Sequence, residues 1–187
     1  MTDHVDTFRD EIFGVATLHE AAAAEGADTI ADIVETPAVG TPLPFEGVSL
    51  PDTVETDFSP RDLETAKTGV TPARYAIATY GTVVLPSDPD GTELASLYPP
   101  THVAVVAASD VLPDMQTAYE RLGADISGAG VETPTTTEEP TDGAATPTDA
   151  PTSQILATGP SATADMGTLV EGVHGPDEVH VLLVTDR

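Results

Sequence analysis

The sequence predicts a single α/β domain over residues 1–187, with a mostly parallel sheet flanked by helices. Three observations support this class. Hydrophobic residues make up 40% of the 187 residues, which suffices for the core of one domain. Segments typical of strands alternate with segments typical of helices, as they do in α/β proteins. The strongest strand segment, Val103–Val106, is continuously apolar, as expected for a parallel strand buried on both faces.

The N-terminal region, residues 1–35, is predicted to be helical. Val5, Phe8, Ile12 and Val15 recur at the three- and four-residue spacing that places side chains on one face of a helix. A run of four alanines follows and favours the same state, because alanine has the highest helix propensity.

The central part of the chain contains one clear helix start and one amphipathic helix. Ser59 precedes Pro60, an arrangement typical of an N-cap followed by the first helical residue. Residues 82–85 are predicted to form a strand, and Asp110 to Leu122 a helix with one apolar face.

The C-terminal part repeats the alternation. Residues 154–157 are predicted to form a strand, and a turn at 159–161 follows it. Residues 162–171 are predicted to form a helix, and 179–184 a final strand. We expect a ligand at the carboxyl ends of the parallel strands, where open α/β sheets bind theirs.

Residues 125–152 differ in kind from the rest of the chain. They contain eight Thr, four Pro and six acidic residues, and Ile126 and Val131 are their only large apolar side chains. Such a segment cannot bury enough apolar surface to offset its ordering entropy. We therefore predict a disordered acidic insertion.

The charge and the cysteine count exclude several classes of function. Six Lys and Arg against 32 Asp and Glu give a net charge of −26, so a nucleic-acid partner is not expected. The absence of Cys excludes disulfides, a cysteine nucleophile and thiolate metal sites, including an iron–sulfur cluster held by this chain. The charge also predicts a salt-loving source, since concentrated salt screens self-repulsion.

No segment predicts membrane insertion or export. The longest apolar run, residues 103–108, is far shorter than the roughly 20 residues that a membrane-spanning helix needs. Residues 1–4 show neither the basic nor the apolar region of a signal peptide, so a cytoplasmic location is expected.

The turn Gly159-Pro160-Ser161, between a predicted strand and a predicted helix, is the first candidate for chemistry. Free N–H groups at a helix N-terminus attract anions, and the hydroxyls of Ser161 and Thr163 add donors. This pattern favours a site for a small carboxylate or phosphate. The alternative is that one of these hydroxyls only caps the helix.

A second candidate is the apolar stretch between Gly69 and Gly81. Gly81 allows close approach of the backbone, and Arg74 is one of only six basic residues, so it is a candidate to bind an acid. The alternative for Arg74 is a surface ion pair with one of the many carboxylates.

Histidines are the third candidate. His102, His174 and His180 lie in or beside predicted strands, and histidine titrates near neutral pH, which suits a general acid or base. Their spacing matches no metal signature, and no Ser-His-Asp order or nucleophile elbow is present, so no metal site is predicted. The alternative is that they are hydrogen-bonded structural imidazoles.

Five motifs, which occur in the family's order along the chain, together resemble the LUD-domain family. The chain resembles a haloarchaeal member of it. The motifs are Gly69–Ala78, Gly81–Leu85, Leu94–Leu97 with Pro99–His102, Gly159–Asp165, and Gly172–Pro176. The resemblance covers about 69–122 and 153–184, is weak over 1–60 and is absent from the Thr/Pro-rich insertion.

The resemblance implies a Rossmann-like fold of the ribose-phosphate isomerase and CoA-transferase type. It also implies a role in oxidising L-lactate to pyruvate, together with partner proteins that hold iron–sulfur clusters. Among the histidine candidates above, His102 and His174 are the expected catalytic residues. The residues expected to contact a small anionic ligand are Thr71, Arg74, Thr79, Gly81, Thr82, Gly159, Pro160, Ser161, Thr163, Asp165 and Gly175.

One departure from the family pattern lies at Thr79, and two alternatives to the lactate-oxidation role are open. The family usually has Ala-Glu-Thr-Gly-Thr where this chain has Thr79 in place of the glutamate, and threonine lacks the carboxylate of an acyl-transfer nucleophile. The first alternative is a stand-alone enzyme acting on a phosphorylated or CoA-linked carboxylate, with His102 or His174 as acid or base. The second is a binding or regulatory module without catalysis.

Overall fold

The structure is a computed structural model, and it describes residues 2–128, 153–160, 162–165, 168–171 and 175–187. Most of the predicted insertion therefore lies outside the described residues, as do Ser161 and His174. Among the described residues, no helix is long and apolar enough to cross a membrane.

The chain forms five helices and twelve strands within the described residues. In chain order they are α1 (Thr2–Ile12), β1 (Thr17–Ala21), α2 (Gly26–Ile33), β2 (Ala38–Gly40), β3 (Val54–Glu55), α3 (Pro60–Thr65), β4 (Thr68–Pro72), β5 (Tyr75–Ile77), β6 (Thr82–Ser87), α4 (Thr92–Leu97), β7 (Thr101–Ala107), β8 (Val111–Leu112), α5 (Met115–Gly128), β9 (Ser153–Ala157), β10 (Ala162–Asp165), β11 (Thr168–Glu171) and β12 (Glu178–Val184). Short 3₁₀ turns lie at Ala23–Glu25, Ala78–Tyr80 and Ala108–Asp110.

A six-stranded sheet forms the centre, in the order β1-β12-β7-β4-β2-β3. Every neighbouring pair in it is parallel. Helices flank the sheet, so the predicted α/β class with a mostly parallel sheet is confirmed. The last strand, β12, lies between β1 and β7, so the C-terminal strand pairs with the N-terminal strand.

The apolar runs of β7 and β12 follow from burial on both faces. In β7, Val103 and Val105 face one side of the sheet, and Ala104 and Val106 face the other, and all four are fully buried. A strand covered on both faces needs apolar residues at every position, which explains the continuous run in the sequence.

The molecule is built in four layers. One face of the central sheet is covered by α2, and the other by α1, α4 and a second, four-stranded sheet. The second sheet has the order β8-β5-β6-β9, and α5 packs on its outer face through Ala118 and Leu122. The sequence analysis did not predict a second sheet. The space between the two sheets is where the candidate site lies.

The prediction of an all-helical region over residues 1–35 is wrong at one element. Residues 2–12 and 26–33 are helical, but β1 lies between them and pairs in parallel with β12. Because the partner of β1 is about 160 residues away in the chain, its strand state depends on a contact that local periodicity does not report.

Two predictions for the C-terminal half of the chain are also corrected. The predicted helix 162–171 is instead an antiparallel pair, β10 and β11, in which Ala162 pairs with Glu171 and Asp165 with Thr168. The predicted helix Asp110–Leu122 begins only at Met115, because Val111–Leu112 form β8, and it runs beyond Leu122 to Gly128, so it takes in the first residues of the predicted insertion.

Candidate functional site

A cavity of about 270 Å³ lies between the two sheets, and segments far apart in the sequence converge on it. We call it the His102 cavity. Strands β6, β7, β9 and β12, helix α4 and two loops form its walls. The lining residues are Leu85, Ser96, Leu97, His102, Ile155, Leu156, Ala157, Thr158, Gly159, Pro160, Gly175, Pro176 and Val179.

Strand pairing explains why these segments meet. His102 is the second residue of β7 and pairs with Val179 near the start of β12. Gly175 and Pro176 come directly before β12, so they lie at the same edge of the sheet. The structure thus brings His102, Gly159, Pro160 and Gly175 together, as the sequence analysis expected.

The position of the cavity in the sheet differs from the expectation. It lies at the amino ends of β7 and β12, not at the carboxyl ends of the strands. The turn after β9 also leads into strand β10 and not into a helix. Without a helix there is no row of free N–H groups and no helix dipole, so the anion site proposed at Gly159–Ser161 does not form in the expected way.

His102 is the titratable group of the cavity. Its side chain is 1% exposed, and its Nε2 lies 2.9 Å from Oγ1 of Thr71 in β4. Burial lowers the pKa of His102 to about 4, because the charged form loses its hydration. The imidazole is therefore neutral at physiological pH.

The described lining carries no charged side chain. Its polar side chains are Ser96, His102 and Thr158. The Ser96 hydroxyl donates to the carbonyl oxygen of Glu93 at 2.8 Å, and Thr158 Oγ1 lies 2.5 Å from Oγ1 of Thr82. In a chain of net charge −26, a neutral cavity is a place where an anion meets little local repulsion.

Thr71 and Thr82 support the His102 cavity and are not among its lining residues. Thr71 is fully buried and hydrogen-bonds to His102, while Thr82 is bonded to Thr158. Their predicted roles as ligand contacts stay predictions, and the structure shows each hydroxyl bonded to a residue that faces the cavity.

Arg74 lies in a different place. It lines a second cavity of about 330 Å³ at the carboxyl ends of β2 and β4. Its Nε donates to Oδ2 of Asp125 at 2.9 Å, and the Tyr75 hydroxyl donates to the same oxygen at 2.9 Å. The structure thus shows Arg74 in an ion pair away from the His102 cavity, and its predicted role in binding a ligand stays a prediction.

Thr79 and Gly81 also lie away from the His102 cavity. Gly81 has φ +57° after the 3₁₀ turn that contains Thr79, and an added Cβ would lie 2.9 Å from the carbonyl oxygen of Glu11. Gly81 is therefore needed for the packing of α1, and neither residue lines the cavity. Their predicted contacts with the ligand stay predictions.

Four of the predicted residues have no described side-chain position. Thr163 and Asp165 lie on β10, and only their backbone is described. Ser161 and His174 lie outside the described residues. The sequence analysis missed Ser96 and Thr158, although Thr158 directly precedes the Gly159 turn and Ser96 belongs to the segment Leu94–Leu97 that carried the resemblance.

The donor set of the chain does not fit an iron–sulfur cluster. The sequence contains no cysteine, and among the described residues no three His, Asp or Glu side chains are grouped so that they could hold a metal ion. His19 and His180 do approach each other, with His19 Nε2 3.0 Å from His180 Nδ1, on neighbouring strands outside the cavity.

Comparisons with known proteins agree with this architecture. A DUF162 family protein from Deinococcus radiodurans, solved as a crystal structure, superposes with a TM-score of 0.65 over 97% of this chain and 96% of its own, at 21% identity. This likeness shows the fold. Lactate utilization protein C of Bacillus subtilis (strain 168) is 34% identical over 125 residues, which are 66% of this chain and 45% of that protein.

Lactate utilization protein C of Macrococcus caseolyticus (strain JCSC5402) is 31% identical over 125 residues, 66% of this chain and 46% of its own length. The match therefore spans less than half of these relatives. They come from Bacillus-type bacteria and give no support to a haloarchaeal source, which stays a prediction. The model of the family described as LUD domain matches residues 13–184, and the chain belongs to that family.

Proposed function

We propose that this chain acts in lactate utilization and that the His102 cavity binds a small carboxylic acid of the lactate and pyruvate class. The observation that carries the proposal is the lining at which β7, the turn after β9 and the loop before β12 converge, whose described residues carry no charge. The names of the relatives in Bacillus subtilis and Macrococcus caseolyticus support the choice of lactate utilization.

The size and walls of the cavity suit such a ligand. About 270 Å³ lies just below the roughly 300–1,000 Å³ of sites for drug-sized ligands, so a three-carbon acid fits better than a CoA ester. Leu85, Ile155 and Val179 offer apolar contacts to a methyl group, and His102 offers a hydrogen bond to an oxygen. Thr79 is exposed and away from this cavity, so it supports no acyl-transfer step there.

Oxidation of lactate to pyruvate removes two electrons and two protons, and the electrons must pass to an acceptor. Because the donor set of this chain does not fit an iron–sulfur cluster, we propose that partner proteins hold the clusters and accept the electrons. This chain would then bind and orient the acid. On the charge of −26 we further propose a salt-loving source organism. We also propose a cytoplasmic location.

Calorimetric titration of the chain with L-lactate and with pyruvate in concentrated KCl tests the proposal. We expect saturable binding of at least one acid, weakened about tenfold or more in His102→Gln, since a lost hydrogen bond in a dry site costs on the order of 1.4 kcal/mol or more. His180→Gln is the matched control, because His180 lies on β12 but does not line the cavity.

The proposal would be overturned by two results. The first is the absence of binding heat for both acids, with the chain alone and with any iron–sulfur protein that co-purifies with it. The second is binding that His102→Gln leaves unchanged while circular dichroism shows an intact fold.

A further inference from the structure

We infer that Thr71 fixes the tautomer of His102, so that the imidazole presents an Nδ1–H donor and the cavity selects a ligand through an acceptor oxygen, carboxylate or keto. Thr71 is then a positioning residue that acts through His102. This inference rests on the proposed function and names the chemistry by which the same cavity would recognise its ligand.

The placement of Thr71 comes from the register of the central sheet. Gly69 pairs with His102, and Thr71 pairs with Ala104, so Thr71 and His102 are diagonal neighbours on adjacent parallel strands. Both side chains point to the face that carries the second sheet, the face on which Ala104 packs. The hydroxyl and the imidazole therefore meet inside the molecule, with Thr71 Oγ1 2.9 Å from His102 Nε2.

The direction of this hydrogen bond follows from which acceptor is available to the hydroxyl proton of Thr71. Thr71 is 0% exposed, and among the described residues the one hydrogen-bond partner of its side chain is His102. If Nε2 carried the proton and donated it to Oγ1, the hydroxyl proton would be buried without an acceptor, which is unfavourable. The hydroxyl therefore donates, and Nε2 accepts through its lone pair.

The state of the second ring nitrogen then follows. A neutral imidazole has one N–H, so when Nε2 accepts, the proton is on Nδ1. Burial keeps His102 neutral over the physiological range, because its pKa is lowered to about 4. With Nε2 bonded to Thr71, Nδ1 is the nitrogen left for a ligand.

This arrangement changes the role expected of His102. A ring nitrogen that carries a proton, on an imidazole that is hard to charge, donates a hydrogen bond and does not remove a proton from a hydroxyl. Since the part of the lining that the structure describes has no charged side chain, that donor favours ligands with an oxygen that accepts. The chemistry fits a 2-oxo acid better than a ligand that offers only hydroxyl donors.

Nitrogen-15 NMR of the full chain, with labelled histidine and His102→Gln used for assignment, tests the inference directly. We expect His102 of the unaltered protein to be the Nδ1–H tautomer. In Thr71→Val, which removes the hydroxyl and keeps the shape, Nε2 loses its hydrogen-bond donor, so we expect the nitrogen-15 resonance of Nε2 to move and the share of the Nε2–H tautomer, which neutral imidazole favours in water, to rise. Thr71→Ser should restore the original tautomer.

A matched control is Thr41→Val. Thr41 is also a buried threonine, and its hydroxyl lies 3.0 Å from that of Thr92, away from the cavity lining. This variant should leave the His102 signals unchanged. Pyruvate titrations of the same variants should show affinity reduced about tenfold or more in Thr71→Val and retained in Thr71→Ser and Thr41→Val.

An Nε2–H tautomer in the unaltered protein overturns the inference whether or not any ligand binds, and it needs no variant to fold. An unchanged Nε2 resonance in folded Thr71→Val also overturns it. Failure of the proposed function gives a different pattern, in which the tautomer is as expected and neither acid produces heat.

Discussion

His102 loses its contact with water when β7 pairs with β4 and β12, because its side chain then lies between the two sheets. A buried imidazole resists protonation, since the charged form is poorly solvated there, and the pKa falls from 6.5 to about 4. The same burial that shapes the cavity therefore links the stability of the fold to pH.

The sign of this linkage is fixed. The unfolded chain binds the proton at the ordinary pKa and the folded chain only at the lowered one, so protonation favours unfolding. The stabilising contribution is present above about pH 6.5 and is lost as the pH falls to about 4, by up to roughly 3 kcal/mol. Urea unfolding of the protein and of His102→Gln, compared at constant KCl between pH 7.5 and about 4, measures it.

The difference between the two proteins removes the contribution of the carboxylates and of the other histidines, which both share. We expect the free energy of unfolding of the unaltered protein to fall more steeply with acidification than that of His102→Gln. Parallel curves for the two proteins would contradict the lowered pKa.

Single residues show what the sequence could predict of the site. His102, Gly159, Pro160 and Gly175 were expected to meet, and the structure brings them to one cavity. Arg74 was a candidate to bind an acid because basic residues are scarce, but scarcity says nothing about location, and Arg74 lies against Asp125, away from the cavity. The position of Asp125 depends on helix α5 packing over the second sheet, a contact that no local pattern reports.

At the scale of elements, the contact between α4 and β4 is the tightest that a glycine makes in the described structure. A Cβ on Gly69 would lie 1.8 Å from the carbonyl oxygen of Ala95, and the backbone of α4 cannot move away without moving Ser96 and Leu97, which line the cavity. Gly69 therefore sets the distance between this helix and the sheet.

Gly69→Ala should lower the free energy of unfolding by about 3 kcal/mol or more, because the new methyl group overlaps backbone atoms. Gly123→Ala is the matched control, since nothing lies within 4 Å of its added Cβ in the helix α5. There we expect stabilisation by about 0.5–1 kcal/mol, the usual preference for alanine in a helix. Urea unfolding compares the two variants, and equal effects would contradict this packing.

The elements also show where sequence patterns lose their predictive power. Strands β7 and β12 were predictable, because burial on both faces requires an apolar run that can be read directly. The segment 162–171 was not, because the helix propensity of its alanines is a weak preference that pairing between β10 and β11 overrides. Strand β1 was missed for a related reason, since its partner comes from the other end of the chain.

At the scale of the whole molecule, the strong negative charge of the chain contrasts with the neutral described lining of the His102 cavity. The chain has 32 acidic residues against six basic ones, yet the described lining of the His102 cavity has no charged side chain. The acidic side chains whose burial the structure describes are all at least partly exposed, so salt can screen their repulsion, and its cost depends on the solvent and not on the site.

We therefore expect the stability of the fold to depend strongly on salt. The free energy of unfolding, measured in urea at pH 7.5, should rise as KCl is increased to about 1 M, where the Debye length is roughly 3 Å and repulsion between surface carboxylates is screened. A variant with Asp32→Asn, Asp57→Asn and Glu64→Gln, three exposed acids, should show a weaker dependence on KCl.

Full stability of the unaltered protein in dilute buffer would contradict the prediction and the salt-loving source with it. A salt dependence equal in both proteins would show that KCl acts through something other than these surface charges, because screening acts only on the charges that are present.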